Sequence, residues 1–120
     1  MQIPLFKPQT EWLPPEDFPD LKKYSEIAID LETQDPNLNV RMGSGAVVGV
    51  GKIVGISVAT EDFCAYYPIA HEGGGNIDKS LVSKWLQDVL NTSADKIFHN
   101  AMYDVCWLRA EGFTIKGRII

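Results

Sequence analysis

Apolar and polar positions alternate along Ile27-Ala28-Ile29-Asp30-Leu31-Glu32-Thr33, a period of two that predicts a strand. Neighbouring side chains on a strand face opposite ways, so Asp30 and Glu32 share one side and Ile29 and Leu31 the other. Two more β-rich runs, Ile53 to Thr60 and Phe63 to Ala70, are separated by Glu61-Asp62 and read as a hairpin. With the first strand they predict a meander of three antiparallel strands. The period then lengthens. Leu81, Val82, Trp85, Leu86, Val89 and Leu90 follow the spacing of one buried helical stripe, which predicts a helix from Lys79 to Leu90 capped by Asp78. Trp85 is thereby a core residue rather than a cofactor platform. Lys96 to His99 predicts a short fourth strand, and Asn100 caps a second helix from Ala101 to Glu111 that Gly112 stops. Ala101, Val105 and Leu108 fall on the inner stripe of that helix, with Asp104 on its edge, one turn from the N-terminus. Phe113 to Ile120 reads as the start of another strand.

Residues 1–24 hold five of the seven prolines. Proline fixes its own backbone angle, restrains the residue before it and donates no amide hydrogen bond. This stretch is expected to be an extended arm anchored by Phe6, Trp12, Leu13 and Phe18, with a helical turn at Asp20 to Tyr24. The loop from Gln34 to Lys52 includes Gly43-Ser44-Gly45-Ala46-Val47-Val48-Gly49-Val50-Gly51. Neither Gly-x-Gly pair has a glycine three residues further on, and no Gly-Lys-Ser/Thr follows, so a flexible turn fits better than a nucleotide loop. His71, beside Gly73-Gly74-Gly75, is expected to be solvated.

At 120 residues and 45% apolar content the chain can build a core as one domain or part of one. No apolar run approaches the roughly 20 residues of a membrane span, and the N-terminus lacks the apolar core of a signal peptide, so a cytosolic setting without a membrane partner is expected. Cys64 and Cys106 stand in apolar stretches and are expected to be buried thiols, not a disulfide or a metal pair. The net charge of −5 argues against a simple nucleic-acid-binding module with a basic face. It leaves open a nuclease whose acids hold metal ions.

Asp30 and Glu32 leave an apolar strand together, and two carboxylates there are costly to desolvate without a cation between them. Hard oxygen ligands of this kind suit magnesium or manganese. A strand fraying into a polar loop, with both acids solvated, is the plain alternative. Asp104 has its own plain explanation, since an acid in the first turn is favoured by the helix dipole. In an α/β sheet, acids at a strand end and at the start of a neighbouring crossover helix can converge. Asp30, Glu32 and Asp104 do so if the Lys96–His99 strand lies parallel to and beside the first strand. Three antiparallel strands, then helix, strand and helix, is the order of an α/β ribonuclease-H-like mixed sheet, here incomplete at the C-terminus.

Ile29-Asp30-Leu31-Glu32-Thr33 and His99-Asn100-Ala101-Met102-Tyr103-Asp104 resemble the first two motifs of the 3′-5′ proofreading exonuclease domain of family A DNA polymerases. Gly55-Ile56-Ser57-Val58-Ala59, Tyr66-Tyr67-Pro68-Ile69-Ala70-His71 and Asn76-Ile77 match between them, and the bacteriophage members are the most similar. The resemblance implies a partial exonuclease domain over residues 25–120. It implies that Asp30, Glu32 and Asp104 are catalytic and hold two Mg2+ or Mn2+ ions about 3.5–4 Å apart at a DNA 3′ end, single-stranded or frayed. Thr33, Asn100 and Tyr103 would lie near the substrate; their plain roles are strand end, helix cap and packing. A phage origin would place the protein in the host cytoplasm.

The departure is the third motif, a tyrosine followed four residues on by a fourth metal-binding aspartate. Val105 to Ile120 contains neither Asp nor Tyr. The chain is therefore expected to be an N-terminal piece of a polymerase with at most residual activity, whose exposed edge is covered by the rest of a polymerase chain or by self-association. An RNase-D-like exoribonuclease and a non-catalytic binding or assembly module are the other readings.

Overall fold

A computed structural model describes residues 14–35 and 51–120. The arm anchors Phe6, Trp12 and Leu13 and most of the glycine-rich loop lie outside the described residues. The elements follow in the order β1 (Glu26–Gln34), β2 (Lys52–Ala59), β3 (Cys64–Pro68), α1 (Lys79–Leu90), β4 (Asp95–Phe98) and α2 (Ala101–Ala110). The sheet order is β3-β2-β1-β4. The β1–β2 and β2–β3 pairs are antiparallel, as the sequence predicts, and β1–β4 is parallel, which meets the condition set for Asp104 to approach the first strand. A parallel partner requires a crossover, and α1 supplies it.

One face of the sheet carries Ile27, Ile29, Ile56, Val58, Tyr67 and Phe98, and these form one cluster with Val82, Leu86, Val89, Trp107 and Leu108 of the helices. The register of β1 on β2 shifts between Glu32 and Thr33, so that Glu32 pairs with Gly55 and Thr33 with Ile53. Val54 is the extra residue of this bulge, which turns Ile53 into the core. Among the described residues the opposite face is open. A concavity of about 720 Å³ lies over it, lined by Ala28, Asp30, Ser57, Cys64, Ile97 and His99 among others.

The last part of the arm is anchored as its aromatic content predicts. Phe18 stacks on Tyr67 at 5.5 Å between centroids and meets Trp85 edge-on at 5.8 Å. The Tyr67 hydroxyl donates to the Asp17 carbonyl (2.7 Å) and the Trp85 indole to that of Pro19 (2.8 Å). Residues 20–24 form a hydrogen-bonded turn, Tyr24 N–H to the Leu21 carbonyl, rather than a helix. Asp78 caps α1 by accepting from the Ser80 amide. At the end of α2, Gly112 adopts φ +94°, and the amides of Gly112 and Phe113 bond the carbonyls of Arg109 and Leu108, a Schellman closure.

Three expectations need correction. Leu81 is 56% exposed, because the stripe of α1 that faces the sheet runs through Val82, Trp85, Leu86, Val89 and Leu90 and Leu81 lies off it. Cys64 and Cys106 are free but exposed: Cys64 starts an edge strand on the open face, and Cys106 points outward from α2. The inner stripe of α2 buries Trp107 and Asp104 more fully than Val105.

The tail begins a fifth strand. Ile119 bridges Lys96 in parallel, and Arg118 clamps Asp95 through two hydrogen bonds of 3.1 and 2.8 Å. Lys96 is wholly buried, and its ammonium donates to the carbonyls of Thr92, Ala94 (2.8 Å) and Lys116 (2.7 Å). Burial lowers its pKa, with Asp95 opposing. Three carbonyls around one ammonium offset the cost of burying it and tie the α1–β4 turn to the tail.

Candidate functional site

β4 ends opposite Ile29, one step before Asp30. Beyond that point the edge of β1 has no strand partner from β4, and the chain turns through His99 and Asn100 into α2. Asn100 caps the helix, its Oδ1 accepting from the Tyr103 amide at 3.4 Å. The first turn thereby brings Asp104 back against β1, where its carboxyl group accepts a hydrogen bond from the Leu31 backbone.

Asp104 is 2% exposed, and its Oδ2 has no hydrogen-bond partner among the described residues. Burial pushes its pKa up to about 6 from 3.8, and the negative charge of Asp30 adds to the rise; the Leu31 hydrogen bond and the nearby His99 act the other way. Asp30 itself is exposed at the open face. The fold therefore sets one buried carboxylate within electrostatic reach of one accessible carboxylate. Among the described residues the buried one has too few donors to satisfy both of its oxygens. A divalent cation fits that donor set.

Glu32 lies on the same side of β1 as Asp30 but is engaged elsewhere. Its Oε2 accepts a hydrogen bond from the Tyr66 hydroxyl at 3.0 Å. Among the described residues no three His, Cys, Asp or Glu side chains are gathered closely enough to hold a metal ion. The structure thus brings Asp104 to Asp30 and ties Glu32 to β3.

Thr33 and Tyr103 meet. Their hydroxyl oxygens are 2.7 Å apart, and the Tyr103 hydroxyl donates to Asp35 Oδ2 at 2.9 Å. The single phenolic proton goes to Asp35, so the Thr33 hydroxyl donates to Tyr103. Burial, with the Asp35 carboxylate beside it, holds the Tyr103 phenol above its usual pKa. Asn100 is exposed beside this cluster.

Tyr66 was not singled out by its chemistry in the sequence, nor was Asp35. His71 is not simply solvated: its Nε2 meets the Tyr66 hydroxyl, and Asn76 clasps its backbone. Burial, together with the Glu32 carboxylate, raises the Tyr66 pKa and keeps it a donor. The legible signal was the hairpin register. Tyr66 pairs with Ser57 and Glu32 with Gly55, and a glycine opposite an acid leaves room for a neighbouring aromatic ring.

No protein-family model matches the chain. Over 118 residues it is 36% identical to a Pseudomonas phage M6 protein named DNA-directed DNA polymerase. The alignment takes in 93% of this chain and 18% of that protein, so the chain spans less than a fifth of its relative's length. Over nearly its whole extent, then, the chain is related to one segment of a phage protein that carries the name of a DNA polymerase.

Proposed function

We propose that this chain forms the 3′-5′ exonuclease portion of a DNA-directed DNA polymerase of family A, hydrolysing phosphodiester bonds at single-stranded or frayed DNA 3′ ends in the host cytoplasm. The observation that carries the reading is the buried Asp104 carboxylate, with an oxygen unpartnered among the described residues, within electrostatic reach of Asp30, which lines an open concavity. The phage relative supports DNA, rather than the RNA of an RNase-D-like enzyme, as substrate.

Asp30 and Asp104 are the residues to hold Mg2+ or Mn2+, with Glu32 beside them. Bound divalent ions supply two things: a water acidic enough to attack at neutral pH, and positive charge for the leaving 3′ oxygen. The protein's contribution is placement. Asp104 is fixed by the Leu31 backbone and by burial, so its carboxylate loses little freedom on binding a cation. Asp30 meets solvent, where a phosphate can approach. The concavity beside Asp30 and His99 is large enough for a nucleotide and is mostly apolar, as a base requires. Tyr103, Thr33 and Asn100 border the same end of β1 and are the residues to contact the 3′ nucleotide. The remainder of a polymerase chain, or a second copy, would cover the open sheet face.

No Tyr-x-x-x-Asp occurs among these 120 residues, so these residues alone are expected to turn over slowly. The test is degradation of 3′-labelled single-stranded DNA and RNA with Mn2+, using these residues alone and joined to a segment bearing the missing motif. Metal-dependent loss of 3′ nucleotides from DNA in the joined chain, abolished by Asp104→Asn, is expected. Activity that survives Asp104→Asn overturns the assignment. A second reading, a binding or assembly module without chemistry, is favoured by the engagement of Glu32 with Tyr66. It predicts that Mn2+ leaves the chain unperturbed.

A further inference from the structure

Tyr66 joins three parts of the fold that are far apart in sequence. Its ring crosses from β3 onto β2 at Gly55, where a Cβ would lie 1.7 Å from the Tyr66 Oη. From there Oη donates to Glu32 Oε2 at 3.0 Å and also meets Nε2 of His71. A tyrosine hydroxyl has one proton. With that proton committed to Glu32, its oxygen accepts from an Nε2–H of His71, which fixes the imidazole tautomer. His71 is held in turn: its amide donates to Asn76 Oδ1 at 2.8 Å, and its carbonyl accepts from Asn76 Nδ2 at 2.9 Å.

Support therefore runs from a clasped loop through an aromatic ring to an exposed glutamate. A glutamate has three rotatable side-chain bonds and loses about 1.5–2 kcal/mol of rotamer entropy when fixed. Unsupported, that cost falls on the ligand; a hydrogen bond already made in the free protein removes part of it. The ring also fills the space over a strand glycine, an arrangement that steadies both.

We propose that Tyr66 is a positioning residue for Glu32, holding Oε2 so that Oε1 serves the cation site beside Asp30. Gly55 supplies the gap that lets the hydroxyl reach, and His71 locks the hydroxyl's orientation. This rests on the metal-dependent nuclease reading above.

The test is Mn2+ titration of the intact chain by calorimetry, with thermal midpoints measured on the same samples. Tyr66→Phe keeps the ring and deletes the hydroxyl; it is expected to weaken Mn2+ binding about tenfold, in the range seen for partners of metal ligands. Gly55→Ala leaves every carboxylate and the Tyr66 hydroxyl in place, yet it is expected to match that loss because its Cβ displaces Oη. In a Glu32→Gln background Tyr66→Phe is expected to add nothing. Unchanged Mn2+ affinity in both Tyr66→Phe and Gly55→Ala overturns the inference while leaving the nuclease reading intact. So does a loss that persists undiminished in the Glu32→Gln background. A wild-type chain that binds no Mn2+ overturns the nuclease reading, and this inference with it.

Discussion

The Asp104 carboxyl group is buried within electrostatic reach of Asp30, which is open to solvent on β1. Burial raises the pKa of the buried acid, and the charge of Asp30 raises it further. A carboxylate held in this way destabilises the fold that contains it, and its retention calls for a use.

The cost can be read as a pH dependence. The folded-state pKa of Asp104, about 6, exceeds the ordinary aspartate value of 3.8. The protonated form is therefore favoured by folding. Its contribution is complete below pH 4 and is lost as pH rises from 4 through 6. The difference is about 3 kcal/mol, taking 1.36 kcal/mol per unit. Asp104→Asn keeps the shape and an acceptor for the Leu31 amide but cannot ionise. Urea unfolding at pH 4, 5.5 and 7.5 is expected to show the two proteins alike at pH 4. The variant should be more stable by about 2–3 kcal/mol at pH 7.5. Equal stability at all three values would mean that Asp104 is not held as described.

Divalent cations should reverse the same cost. A ligand that binds only the folded state stabilises it by about 2.7 kcal/mol at a hundred times its dissociation constant. Mn2+ is expected to raise the thermal midpoint of the wild-type chain by several degrees at pH 7.5. Asp104→Asn and Asp30→Asn are expected to abolish the rise. A shift of equal size in both variants would place the cation elsewhere.

The alternation around Asp30, the stripe of α1 and the Asp78 and Asn100 caps were legible because each is a local pattern with a period or a fixed offset. The convergence of Asp104 on Asp30 was legible only once β4 was taken as parallel to β1, a pairing that periodicity does not specify. Three features escaped. Leu81 looks like stripe but lies about 100° round the helix from Val82. Cys64 and Cys106 have apolar neighbours in sequence, but their side chains face outward, and only the sheet's open face and the orientation of α2 reveal that. Lys96 follows an acid at the start of a short strand and gives no local sign of burial, whereas in the fold two carbonyls of the α1–β4 turn and one of the tail converge on it. Such a site is invisible until the α1–β4 turn and the tail come together.

That lysine gives a second stability prediction. Lys96→Met preserves the length of the buried stem and removes the ammonium. Three carbonyls then lose a donor where water has little access, a loss of about 2–4 kcal/mol. The damage should be greatest in the tail, because Lys116 supplies one of the carbonyls and Ile120 bonds to the Lys96 backbone. Hydrogen exchange is expected to show the Ile120 amide losing protection while Ile29 and Val58 keep theirs.

The contact between Thr33 and Tyr103 separates two roles that the site assigns to the same hydroxyl. Tyr103 accepts from Thr33 and donates to Asp35, and so ties α2 to the exit of β1. Thr33→Val deletes the shared hydrogen bond and should cost about 1 kcal/mol, whereas Tyr103→Phe also deletes the bond to Asp35 and should cost about 2 kcal/mol. If these bonds are the whole of their contribution to stability, the double variant should cost less than the sum of the two. A Tyr103 hydroxyl that also meets the 3′ nucleotide gives a different pattern in hydrolysis. Tyr103→Phe should then raise KM severalfold more than Thr33→Val does. Unfolding and steady-state hydrolysis, measured on the chain that carries the third motif, supply both halves of the comparison. Equal KM values for the two variants would confine Tyr103 to holding α2 against β1.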